Sequence, residues 1–180
     1  MTALWIVLWV IALLAIYYIS LNNKIVALKT TREGSLSDID VQMQLRFDLV
    51  DNLVSTVKGY AKHEEETFTK VIEARNKMGS ATSVKDKSEA DNMLSSALKN
   101  IIALSESYPE LKANQNFLQL QNELSDIENK ISSARRYFNA TTREYNTLIQ
   151  QFPANILFHK QPEDFFEGND EIKKAPKVQF

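Results

Sequence analysis

The chain has 180 residues, 21 basic and 23 acidic, a net charge of -2 and no cysteine. That balance lacks the basic surface that nucleic-acid binding demands, so no nucleic acid is expected among its partners. The missing cysteine rules out disulfides and thiol chemistry, and with them a cysteine-linked lipid anchor.

Residues 1–21 read MTALWIVLWVIALLAIYYISL, with no charged side chain and only Thr2 and Ser20 outside the apolar and aromatic set. About 20 such residues, rising about 1.5 Å each, cross a hydrocarbon core of about 30 Å. Trp5 and Trp9, the two tryptophans of the chain, lie here, and Tyr17 and Tyr18 sit near the inner end. Such rings favour membrane interfaces, although Trp9 is deep for that role. A secretory signal would need a basic start, a shorter apolar core and a small-residue cleavage site. None is present, so this segment reads as a retained single-span anchor in the lipid bilayer. Lys24, Lys29 and Arg32 follow it and nothing basic precedes it, which places the N-terminus outside and the body in the cytoplasm. The lack of cysteine fits a cytoplasmic or a periplasmic body alike.

Beyond the span, about 60 of 159 residues are apolar, below the roughly 45–50% of globular domains. Between Ser35 and Phe152 the only breakers are Gly59, Gly79 and Pro109. Both features predict an all-α body of long, surface-rich helices. Residues 22–34 link span to body, as a continuing helix or a hinge at Gly34. A bundle is expected over 35–152 and a tail over 153–180.

Ser35 and Asp38 stand in the spacing of a capping box, so a helix start is expected there. The apolar positions Leu36, Ile39, Met43, Phe47, Val50, Val54, Val57 and Ala61 then recur at spacings of 3 and 4, an amphipathic stripe. Phe68, Val71, Ile72 and Met78 continue it to Gly79, which stands where a helix-ending glycine belongs. Ser83 with Asp86 repeats the capping box. Ala90, Met93, Leu94, Ala97, Leu98, Ile101, Ile102 and Leu104 mark the next helix, stopped at Tyr108-Pro109. Asn114 can cap the last helix, whose stripe runs Phe117, Leu120, Leu124, Ile127, Ile131, Ala134, Phe138, Thr141, Tyr145, Leu148, Phe152. Alternation of 3 and 4 over five heptads implies coiled-coil-like packing, within the chain or between chains. Phe152-Pro153 ends it, and the tail is expected to be extended, with some of Phe158, Phe165, Phe166 and Phe180 packed on the bundle.

These elements make an up-and-down bundle projecting from a membrane. A break at residues 59–63 gives four antiparallel helices and returns the tail towards the membrane, where Lys173, Lys174 and Lys177 could meet lipid head groups. Without that break there are three helices and the tail lies distal.

Catalysis finds no constellation: no cysteine, no phosphate-cradling glycine loop and no G-x-S-x-G elbow. His63 shares a helix face with Glu66 or Thr67 but lacks a second ligand cluster, so the acidic turn reads as solvated and a metal hydrolase is the weakest hypothesis. His159 carries no signal. The Arg135-Arg136 and Lys173-Lys174 pairs read as solvated charges. Asn139-Ala140-Thr141 matches a glycosylation acceptor but falls mid-helix. No catalytic, cofactor-binding or metal-binding residue is expected, and the chain is not expected to be an enzyme.

The stretches Arg46-Phe47-Asp48-Leu49-Val50-Asp51-Asn52-Leu53-Val54 and Val57-Lys58-Gly59-Tyr60-Ala61-Lys62-His63-Glu64 resemble the signature of the LemA family. So do Glu73-Ala74-Arg75, Tyr108-Pro109-Glu110-Leu111-Lys112-Ala113-Asn114, Ala134-Arg135-Arg136-Tyr137-Phe138-Asn139, Tyr145-Asn146, Phe152-Pro153-Ala154-Asn155 and Pro176-Lys177-Val178-Gln179-Phe180. The chain departs from the pattern at Phe47, where the family usually has a second arginine, and at Asp51, where it usually has proline. The resemblance implies a bacterial, membrane-anchored four-helix bundle without established catalysis. Some relatives are associated with membrane organisation. The leading expectation is a scaffold that forms homo-oligomers at the membrane. The alternative is a tethered adaptor docking a protease or a signalling membrane partner through residues 59–66 and 108–114.

Overall fold

The computed structural model describes residues 2–167: helices, the turns that join them, and a non-helical tail over 159–167. The elements are α1 (Thr2–Lys58), α2 (Glu65–Ser80), α3 (Val84–Ser105), the single turn α4 (Pro109–Lys112), α5 (Gln115–Gln150) and the single turn α6 (Ala154–Leu157). The apolar segment and the first bundle helix are one 57-residue helix, about 85 Å long. Of the two readings of residues 22–34, the continuing helix is therefore the observed one.

Ser35 does not cap a helix start. It is buried in mid-α1, where its hydroxyl donates to the Arg32 carbonyl at 2.7 Å and meets the Thr141 hydroxyl at 3.1 Å. Gly34 beside it has open space on its Cβ side and bends nothing. The break at Gly59 is real: α1 stops at Lys58 and α2 starts at Glu65, so the body has four long helices.

α1 and α5 form one extensive antiparallel pair, and α2 and α3 form another. The core joins them through Ile39, Val50, Leu53 and Val57 of α1, Val71 of α2, Leu94 and Ile101 of α3, and Phe117, Ile131 and Phe138 of α5. Along α1 the buried row is Ile39, Met43, Arg46, Val50, Leu53, Val57, spaced 4, 3, 4, 3, 4. It passes through Arg46 rather than Phe47, which is only half-buried. The α5 stripe is buried as its spacing predicts at Phe117, Leu124, Ile127, Ile131, Phe138, Thr141 and Tyr145, while Phe152 is 80% exposed.

The caps follow the sequence. Ser83 and Asp86 form a reciprocal capping box on α3. Asn114 caps α5, its Oδ1 accepting from the Phe117 amide at 3.0 Å, while its Nδ2 donates to the Tyr60 hydroxyl at 2.8 Å. Asn114→Ala is expected to lose about 1 kcal/mol of stability in urea unfolding. Gly79 is a correction. α2 runs through it to Ser80, and no described glycine has positive φ. A Cβ at Gly79 would lie 2.9 Å from Cε2 of Phe47, whose ring carries the Arg75 guanidinium 3.7 Å from its centroid. Gly79 admits a neighbouring ring rather than ending a helix.

The α2–α3 hairpin is short. Lys87, in the first turn of α3, bonds Asp40 of α1. Beyond that level, towards the apolar end of α1, only α1 and α5 continue among the long helices, and the tail fills the third place. After α6 the chain runs back along α5. Asn146 donates to the Glu163 carbonyl at 2.9 Å and accepts from its amide at 2.8 Å. Asn139 does the same for Phe166 at 2.9 and 2.8 Å. Seven helical residues and three extended ones each advance about 10 Å, so the two asparagines match the strand's pitch. The ring of Phe166 is buried in the main core. The sequence reading of Lys173, Lys174, Lys177 and Phe180 concerns positions outside the described residues.

Candidate functional site

Three features of the fold bear on function: an unburied apolar helix, a buried ion network tying the bundle to that helix, and a distal tip. The first lies at the N-terminal end of α1, which is long and apolar enough to cross a membrane. Every large hydrophobic from Leu4 to Ile19 is exposed. Its backbone hydrogen bonds run unbroken from this end into the bundle, which is what a segment inside lipid requires.

The ion network sits in the middle of the bundle. Arg46 and Asp91 are 2% and 0% exposed. Arg46 Nη1 bonds Asp91 Oδ1 at 2.8 Å, and its Nη2 bonds Glu128 Oε2 at 2.5 Å. Arg135 Nη2 contacts Asp91 Oδ2, and the Arg135 guanidinium lies 5.4 Å from the Phe166 ring centroid. The set spans α1, α3, α5 and the tail, with two positive and two negative groups. Burial raises the Asp91 carboxyl above its ordinary range. Arg135 and then Arg46 oppose that rise, and Glu128 adds to it. Among the described residues Arg46 Nε and Arg135 Nε are buried without a hydrogen-bond partner, and Asp91 Oδ2 meets Arg135 without the alignment of a hydrogen bond. Such a set is costly to desolvate and costlier to break.

Arg135 is thus a correction: it is a half-buried core partner, while Arg136 is exposed and bonds Ser132 and Ser133. Arg32, 6% exposed, repeats the theme nearer the apolar end of α1. It donates to Thr142 Oγ1 and to the Asp164 carbonyl, both at 3.0 Å, and approaches Glu163 at 3.3 Å. Its guanidinium stacks 4.8 Å from the Phe138 centroid. One signal for these residues was legible: Arg32 and Arg46 in α1 and Asp91 in α3 fall on the 3/4 rows that otherwise carry apolar side chains.

The distal tip joins the turns at 59–66 and 108–114. The Tyr108 hydroxyl donates to Glu64 Oε1 at 3.1 Å, and this bond holds its proton more tightly than in a free tyrosine. Asn114 reaches Tyr60 across the same gap, and Ala61 is wholly buried beneath. His63 is exposed in this turn. Among the described residues no three His, Asp or Glu side chains are grouped to hold a metal ion. Asn139 spends its amide on the tail, and Thr141 is buried.

The model of the LemA family matches residues 35–180, the whole of the chain beyond the start of α1's bundle portion. This chain belongs to the LemA family. It is 24% identical to a magnetosome protein MamQ of Magnetospirillum gryphiswaldense, covering 78% of this chain and 65% of the relative. It is 24% identical to a protein LemA of Metamycoplasma hominis, covering 79% and 66%. A magnetosome protein MamQ 2 of Paramagnetospirillum magneticum is 24% identical over 75% of this chain and 59% of its own length. The chain therefore spans somewhat less than two thirds of these relatives. Neither LemA nor MamQ names an enzyme family, and the chain is a membrane-associated LemA-family protein.

Proposed function

We propose that this LemA-family protein is a non-catalytic scaffold that self-associates laterally in the membrane, its body on the cytoplasmic side. The observation that supports this most is the unbroken α1. Its lipid-facing end and its core-facing end share one helix, with no hinge at Gly34. Orientation of the bundle and tilt of the span are then one variable. Lateral contacts between bodies act directly on the bilayer, and tethering in one plane raises the effective concentration so that weak contacts suffice. Lys24 and Lys29, exposed just beyond the span, support the cytoplasmic orientation.

Mass photometry of the full-length protein extracted with its native lipid tests the reading. A discrete multimer is expected. A monomer in both detergent and lipid nanodiscs would overturn it. The adaptor reading draws its own support from the tip, where turns distant in sequence present Tyr60, Glu64, Tyr108 and Asn114 together. A stoichiometric protein partner lost on Tyr60→Ala and Tyr108→Ala would favour it.

A further inference from the structure

We infer that the turn joining α5 to α6, together with α6 itself, is a second membrane contact, a foot that inserts Phe152, Ile156 and Leu157 into the interface of the leaflet where the span emerges. The argument starts from an apolar surface the bundle leaves uncovered. Phe152, Ile156 and Leu157 are 80%, 59% and 44% exposed and lie within six residues of one another. None of the three belongs to the bundle's main core. They flank in sequence two members, Ala154 and Phe158, of a separate cluster at its base, in which Ile25, Tyr145, Ile149 and Ala154 are buried and Leu21, Leu28, Leu148 and Phe158 pack around them.

The position of that cluster identifies its partner as lipid. The Phe158 ring stacks on Tyr18, with centroids 5.1 Å apart and planes 24° from parallel. Tyr18 lies three residues before Leu21, the last residue of the apolar run, and so about 5 Å inside its inner boundary. A span that places residues 1–21 in the bilayer cannot do so without carrying Phe158, and the turn bearing it, to the same depth. Interfacial apolar residues sit about 5–10 Å into the headgroup and acyl boundary. The exposed side chains of this turn therefore continue a lipid-facing surface that α1 begins. His159, with φ of 44°, ends α6 and turns the chain back along the bundle, leaving Lys160 exposed beside the foot for phosphate groups. Two attachments per chain, span and foot, fix the rotation of the bundle about α1 as well as its tilt.

This inference rests on the span reading, so the test separates the two. The full-length protein is placed in phosphatidylcholine vesicles whose acyl chains carry bromine near the headgroup or near the chain end. In the native chain Trp5 and Trp9 report the span. In a background with both replaced by phenylalanine, Ile156→Trp or Leu157→Trp reports the foot, and Leu118→Trp, exposed on the distal part of α5, is the reference. Far-UV circular dichroism matching the native chain shows that each variant is folded. Shallow bromines are expected to quench a tryptophan at 156 or 157 about twofold more than one at 118, and more than deep bromines do. Quenching at both 156 and 157 no greater than at 118, with Trp5 and Trp9 quenched, would overturn the foot and leave the span. Unquenched Trp5 and Trp9 would overturn the span and the foot with it.

Discussion

Replacing Asp91 with alanine is expected to lower the unfolding free energy of the bundle by about 3–5 kcal/mol. Asp91 is fully buried and is the one carboxylate shared by Arg46 and Arg135. Removing it leaves two guanidiniums inside the bundle with only Glu128, which is half-exposed, pairs with Arg46 and not Arg135, and already accepts from the Ser95 hydroxyl. The cost comes from stranding charge rather than from the net worth of the pairs. Replacing Arg46, Asp91 and Arg135 together by Met, Leu and Met is therefore expected to be less harmful than Asp91→Ala alone, a non-additivity that a mutant cycle measures. Urea unfolding of the full-length protein in detergent, followed by far-UV circular dichroism, checks both.

The pH dependence has a definite sign. Because burial raises the Asp91 carboxyl above its usual 3.8, the folded state holds that proton more tightly than the unfolded chain. Stability from this group is largest below the ordinary carboxylate range. It falls as pH rises through the raised folded value and is flat above it. Asp91→Asn removes that slope, so the difference between native and variant stability curves should fall with rising pH across this window.

The core rows of the bundle explain why much of the fold was legible in the sequence and some was not. Periodicity placed α5 and α3, and the side-chain chemistry of Ser83, Asn114 and Pro109 placed their ends, because those signals act within four residues along the chain. The readings that missed needed a neighbour from another element. Phe47 reads as core by hydrophobicity, but the side facing α3 and α5 is that of Arg46, whose charge is tolerated only because Asp91 waits there. Gly79 reads as a helix end until the Phe47 ring is known to press against it. Ser35 has the spacing of a cap, yet α1 already supplies its backbone bonds and leaves its hydroxyl to Thr141. Arg135 and Arg136 are indistinguishable in the sequence. One helical step of 100° puts the first towards Asp91 and Phe166 and the second into water.

The tail carries the other large expected effect. Phe166→Ala should cost about 3–5 kcal/mol, the range for deleting a buried phenylalanine side chain. Its ring is among the largest wholly enclosed side chains and belongs to the main core, although it lies beyond the last long helix. Over the membrane-proximal part of the bundle α2 and α3 are absent, and two helices alone cannot enclose an apolar seam. The extended strand closes it. Asn139 and Asn146 supply the amide and carbonyl partners that a neighbouring β-strand would otherwise provide, and Arg32 fastens Asp164 and Glu163 from α1. Asn139→Ala is expected to cost less than Phe166→Ala, because water can replace part of its bonding at a half-buried site. Limited proteolysis by trypsin at Lys160 gives a second readout, since release of the strand exposes the chain that follows. Faster cleavage in Phe166→Ala, with the stability loss above, would identify the strand as a component of the bundle. A loss below about 1 kcal/mol, the scale of an ordinary surface change, would mean that α1 and α5 close their seam without it.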